Sequence, residues 1–158
     1  KSLAPGYRIG WAIPGKFTEQ VKQMKRIQNI SCPTLTQAAI AHFLKHGRYE
    51  YHLKNLRKAL HTQSLRYVQA IIKYFPPDTK VSRPQGGFIL WLELNKIINA
   101  FKLRSIAMEH KISIVPGKIF SSGTNYTNCI RLSFGKPWSK EVDEGLMILG
   151  KLIKEMQG

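Results

Sequence analysis

An α+β fold is predicted for the C-terminal two thirds of this 158-residue chain, with helices covering one face of a largely antiparallel sheet. Three observations lead there. A long stretch, Arg48 to Phe75, lacks Gly and Pro and carries an apolar stripe at three- and four-residue steps. Immediately after Pro76-Pro77-Asp78 the apolar pattern changes to period two. From there the order reads strand, strand, helix, strand, strand, helix, which packs most simply as a sheet backed by helices.

Taken in order, Tyr7, Ile9, Trp11 and Ile13 alternate with Arg8, Gly10 and Ala12, the period of a strand, and Arg8 falls on the side kept open by small residues. Pro14-Gly15 makes a turn. Phe17, Val21 and Met24 recur at helical spacing, with Lys22, Lys25 and Arg26 outward, until Pro33 stops the helix. Thr34 is read as the N-cap of a second helix whose Ala38, Ala39, Ile40, Phe43 and Leu44 make a small packing surface, and Gly47 as its stop. The long helix that follows has the stripe Leu53, Leu56, Leu60, Tyr67, Val68, Ile71 and Phe75.

Val81 lies in a short strand, and Gly86-Gly87 allows a tight entry to the next, in which Phe88, Leu90, Leu92 and Leu94 share one face. A helix is expected over Ile97 to His110, a strand over Ile112 to Val115 closed by Pro116-Gly117, and a polar loop over Gly123 to Asn128. In the last strand Ile130, Leu132 and Phe134 alternate with Cys129, Arg131 and Ser133, which turns Arg131 away from the apolar face. Ser139 caps the terminal helix, acidic residues crowd its first turn, and Val142, Leu146, Leu149, Ile153 and Met156 form its buried stripe.

The chain carries 25 Lys and Arg against 9 Asp and Glu, a formal charge of +16. Such an excess favours anionic partners, nucleic acid among them, but the basic residues are spread along helices with neither a compact run nor interleaved aromatics. No apolar run approaches the roughly 20 residues of a membrane span. Cys32 and Cys129 stand far apart and outside any metal-ligand spacing, which fits a reducing cytoplasm. His42 and His46 share a helical face without a third ligand, so no metal is expected. Trp91 and Trp138 are read as packing residues and Gly86-Gly87 as a structural turn.

Two side chains near the N-terminus carry separable chemistry. Lys1 can form an imine with an aldehyde once its amine is deprotonated, and Arg8, across the Ala-Pro-Gly turn, can hold phosphate oxygens through paired N–H donors. On the residues alone, a solvated lysine and arginine flanking a strand are the better account of the pattern. The segment KSLAPGYRIGW, however, resembles the cofactor-lysine segment of fold-type-I pyridoxal phosphate (PLP) aminotransferases. The resemblance continues through RPQGGF with LWLEL, IVPG with Phe120, and NCIRLSFG followed by Pro137-Trp138, and most resembles the aminotransferase-like half of MocR-type regulators of the GntR family.

That resemblance implies that Lys1 is the catalytic, cofactor-bearing lysine, that Arg8 binds the cofactor phosphate, and that Arg131 binds the carboxylate of an amino acid. It implies a remnant of the PLP-binding large domain over residues 1–46, then a long interdomain helix and the C-terminal small domain over 47–158. The chain is then expected to be the last part of a longer cytoplasmic, homodimeric protein, with an amino acid or other small amine as effector and DNA bound through a winged helix preceding Lys1. A PLP-dependent amino acid aminotransferase is the alternative, and a basic DNA-contacting module without PLP chemistry the third reading. Whether the parent is an enzyme stays open, and the chain alone is expected to be inactive.

Overall fold

The computed structural model describes every residue except Lys1 and Ile30. Two compact units are formed, Lys1–Leu56 and Arg57–Gly158. The division falls inside the long helix, ten residues beyond the 46/47 boundary expected from the resemblance.

In the first unit, α1 spans Thr18–Gln28 and α2 spans Thr34–Lys45. Pro33 takes the N-cap position with Thr34 as the first helical residue, and the Thr36 hydroxyl donates to the Pro33 carbonyl at 3.0 Å. Gly47, at φ +68, lies just past the end of α2, and its N–H donates to the Leu44 carbonyl at 3.2 Å. The strand expected over Tyr7–Ile13 does not form. Pro5–Tyr7 is a 3-10 turn and residues 8–14 carry no regular structure. Period-two alternation makes a strand only where a second strand answers its backbone N–H and C=O groups. Among the described residues none does. Trp11 is 78% exposed and Ile13 92%, and neither α1 nor α2 buries a residue.

The helix α3, Tyr49–Tyr74, runs from the first unit into the second. Its burial is confined to the C-terminal half, at Tyr67, Ala70 and Ile71. The second unit adds β1 (Lys80–Val81), β2 (Ile89–Glu93), α4 (Ala100–Glu109), β3 (Val115–Pro116), β4 (Cys129–Ser133) and α5 (Lys140–Gln157). The strands form one antiparallel sheet in the order β1-β2-β4-β3. The strand at Val81 is short, Lys80–Val81, and the strand expected over Ile112 to Val115 pairs only at Val115–Pro116, where the ladder with β4 begins. Helix α4 begins three residues after Ile97, where the Asn99 side chain accepts from the N–H groups of Phe101 and Lys102.

Register decides the two faces. Leu90 lies opposite Leu132 and Leu92 opposite Ile130. These four, with Leu103 of α4, Ile71 of α3, and Leu149 and Ile153 of α5, belong to one buried cluster. All three helices therefore cover the same side of the sheet. Helix α5 comes so close to the end of α3 that a Cβ added at Gly150 would stand 2.6 Å from the Tyr74 carbonyl oxygen. Tyr67 joins α3 to the chain after β4 through edge contact with Trp138, ring centroids 5.4 Å apart.

Candidate functional site

The uncovered face of the sheet carries the chemistry. Because β2 and β4 alternate, the residues between the buried leucines must point the other way, and Trp91, Arg131 and Val115 stand in register across β2, β4 and β3. Arg131 is half-buried between buried Ile130 and Leu132. Its guanidinium lies over the ring of Phe120, with Cζ 4.8 Å from the ring centroid. Trp91 meets Phe120 at 6.1 Å between centroids and Tyr126 at 5.4 Å, both edge-on. Glu93, a carboxylate on this face, pairs instead with Lys80 across β1 and β2 at 3.1 Å. Among the described residues the Arg131 guanidinium makes no ion pair or hydrogen bond.

Phe120 reaches Arg131 from a 3-10 turn, Gly117–Phe120, which follows β3. The turn needs its glycine. A Cβ at Gly117 would fall 2.7 Å from Cβ of Cys129 and 2.8 Å from Cη2 of Trp91, so the indole lies directly on the glycine. Cys129 is buried under this contact, and burial, reinforced by the charge of Glu93, pushes its thiol above the ordinary cysteine range. The loop before β4 is fastened at its end, where the Leu94 N–H donates to the Asn128 carbonyl at 3.0 Å and the Ala100 N–H to Thr127 at 2.9 Å.

In the first unit Arg8 is exposed, in the left-handed region at φ 54, and its backbone N–H donates to the Pro5 carbonyl at 3.2 Å. An L-residue other than Asn or Asp rarely adopts that conformation, at a cost of about 1–2 kcal/mol. Gly6 and Gly10 on either side have nothing within 4 Å of an added Cβ. Lys1 lies outside the described residues. Arg8 and Arg131 belong to different units, and each is placed only within its own.

Sequence reasoning placed Arg131 on the face away from the core but did not find Phe120 or Trp91 as its neighbours. The alternation around Trp91 shows that it faces away from Leu90 and Leu92. Its pairing with Arg131 depends on register between strands 40 residues apart, which no local pattern encodes. Of the histidines, His42 and His46 lie with rings tilted against each other, centroids 4.1 Å apart, and His46 Nδ1 bonds the His42 carbonyl.

Comparison with known proteins gives concordant findings. The family model described as aminotransferase class I and II matches residues 2–148. The uncharacterized HTH-type transcriptional regulator YdcR of Escherichia coli K12 is 36% identical over 98% of this chain and 33% of its own length. YjiR, a second uncharacterized HTH-type regulator of that organism, is 34% identical over 97% of the chain and 33% of its own. Among solved structures, LysN, an α-aminoadipate aminotransferase of Thermus thermophilus complexed with N-(5'-phosphopyridoxyl)-L-leucine, superposes with a TM-score of 0.89 at 27% identity. That match covers 99% of this chain and 40% of LysN. The chain spans about a third of the length of the regulators it matches.

Proposed function

From the premise that the chain belongs to the aminotransferase class I and II family, we propose that it is part of the PLP-binding effector domain of a GntR/MocR-type transcriptional regulator. The observation that carries this reading is the 36% and 34% identity to HTH-type regulators, against 27% to the aminotransferase LysN. In this reading residues 1–46 come from the large domain and 47–158 supply the interdomain helix and the small domain. The exposed Trp11 and Ile13 accord with a segment whose apolar side chains belong against further protein. The parent binds DNA through an HTH region, works as a cytoplasmic homodimer, and answers to an amino acid or related small amine.

The donor set suits the cofactor. Arg8, exposed on the surface of the first unit, offers in-plane N–H donors to a phosphate, and Arg131, which among the described residues pairs with no carboxylate, offers the same geometry to the carboxylate of an amino acid. When bound, PLP supplies an aldehyde carbon and an electron-withdrawing ring, which allow an amine to be held covalently and reversibly. Lys1 would hold the cofactor, and its Nζ would take up or return a proton. Arg131 orients the amino acid by its carboxylate, and the face of Phe120 excludes water from one side of the guanidinium.

The test uses the full-length, PLP-loaded protein. Its DNA affinity is measured with and without each proteinogenic L-amino acid, alongside transaminase turnover. An amino acid that changes DNA affinity at least about tenfold, equivalent to ~1.4 kcal/mol of coupling, supports the regulator. Steady turnover with DNA binding unaffected by any amino acid overturns it in favour of an enzyme. Arg131→Lys is expected to leave PLP absorbance intact and weaken amino acid binding by about 1.5–3 kcal/mol, the usual worth of a hydrogen bond to a charged group.

A further inference from the structure

Three contacts connect the turn after β3 to Arg131. Gly117 admits the Trp91 indole against its backbone, the indole edge abuts Phe120, and the face of Phe120 carries the guanidinium of Arg131. We infer that Phe120 is a positioning residue for Arg131, holding the guanidinium in the plane in which it receives a carboxylate. The inference rests on the reading of Arg131 given above.

The physical basis is the anisotropy of the guanidinium. All five N–H donors lie in its plane, while its two faces are poorly hydrated. An aromatic ring stacked on one face therefore attracts the charge without consuming a donor. An acidic partner would do the opposite: it would fix the arginine but occupy the edge that a ligand needs. Here Glu93 is engaged by Lys80, and an aromatic ring does the fixing. A long arginine side chain loses rotamer freedom when it binds, and a side chain already held by a ring has less left to lose. The ring is itself held, because Trp91 packs against Gly117 and meets Tyr126 edge-on at 5.4 Å between ring centroids.

The experiment compares Phe120→Leu, Phe120→Tyr and Arg131→Lys in the full-length, PLP-loaded protein. The probes are the tightest-binding proteinogenic L-amino acid and the amine obtained by removing its carboxylate, each titrated calorimetrically. Phe120→Leu is expected to weaken the amino acid about fivefold, the scale of a cation–π contact at a partly exposed site, and to leave the amine unchanged. Phe120→Tyr, which keeps the ring face, restores amino acid affinity to within about twofold. Equal weakening of amino acid and amine overturns the inference, since a general disturbance of the fold would act on both. Full amino acid affinity in Phe120→Leu, with Arg131→Lys still defective, overturns the inference and leaves the role of Arg131 standing. Full affinity in Arg131→Lys, or no amino acid binding by the unmodified protein, removes the premise and the inference together.

Discussion

Helix α5 contains two glycines that differ in one respect, and substituting each by alanine separates intrinsic helix preference from packing. Gly145 has nothing within 4 Å of an added Cβ, whereas at Gly150 the same atom meets the Tyr74 carbonyl oxygen at 2.6 Å, its carbon at 2.8 Å and Phe75 Cδ1 at 3.1 Å. In a helix interior alanine is favoured over glycine by about 0.8–1 kcal/mol, so Gly145→Ala is expected to stabilise the second unit by about that amount. Gly150→Ala gains the same preference but collides with backbone that no rotamer change can move. The end of α3 and the middle of α5 must separate, opening the cluster that includes Phe75, Leu149 and Ile153. Overpacking of this kind costs about 1–3 kcal/mol or more. With a short contact against main chain the upper part of that range applies, giving a net loss of about 1–2 kcal/mol after the helix preference is credited. For a cooperative unit of this size that corresponds to roughly 4–8 °C per kcal/mol in Tm. Urea and thermal unfolding followed by far-UV circular dichroism and by tryptophan fluorescence, in which Trp91 and Trp138 report on the second unit, provide the measurement. Gly150→Ala at least as stable as Gly145→Ala would refute the close crossing of α3 and α5.

Cys129, buried with its thiol pushed upward, is expected to resist iodoacetamide at pH 8 while half-buried Cys32 alkylates, with peptide mass mapping as the readout; faster modification of Cys129 would contradict the packing of Trp91 on Gly117. Asp78 accepts hydrogen bonds from Asn95 at 2.7 Å and from Gln157, and these hold its carboxyl below its ordinary value of 3.8. A depressed carboxyl stabilises the fold above its unfolded value and loses that contribution as pH falls through the folded one. The stability gap between the native chain and Asp78→Ala should therefore narrow as pH drops below 3.8, and a gap that widens in acid would show the sign to be wrong. DNA binding by the 158-residue chain is expected to be independent of sequence and to weaken steeply with salt, since dispersed Lys and Arg neutralise phosphates without reading bases. Sequence-selective binding that survives high salt, measured by fluorescence anisotropy, would favour the DNA-contacting reading over the effector domain.

Local periodicity and local chemistry were legible in the amino-acid order. The stripe from Leu53 to Phe75 specified α3, Ser139 with the acidic first turn specified the start of α5, and the Leu90, Leu92 and Ile130, Leu132 alternations specified which sides of β2 and β4 are buried. Each of these signals lies within one element, where side-chain direction follows residue spacing. The direction of Arg131, away from Ile130 and Leu132, was legible on the same terms, whereas its role came from the family resemblance of the segment around it. Features that need two distant segments to meet were not written in any one of them. Tyr7–Ile13 has the alternation of a strand, yet alternation provides no hydrogen-bond partner, and among the described residues no second strand stands beside it. Trp91 reads as a packing residue from either neighbour in sequence. It becomes the wall behind Phe120 only because β2 pairs with β4 in one register and Gly117 leaves the indole a place to lie. Register between strands is fixed by the summed burial of both faces, a property of the assembled sheet that no segment carries alone.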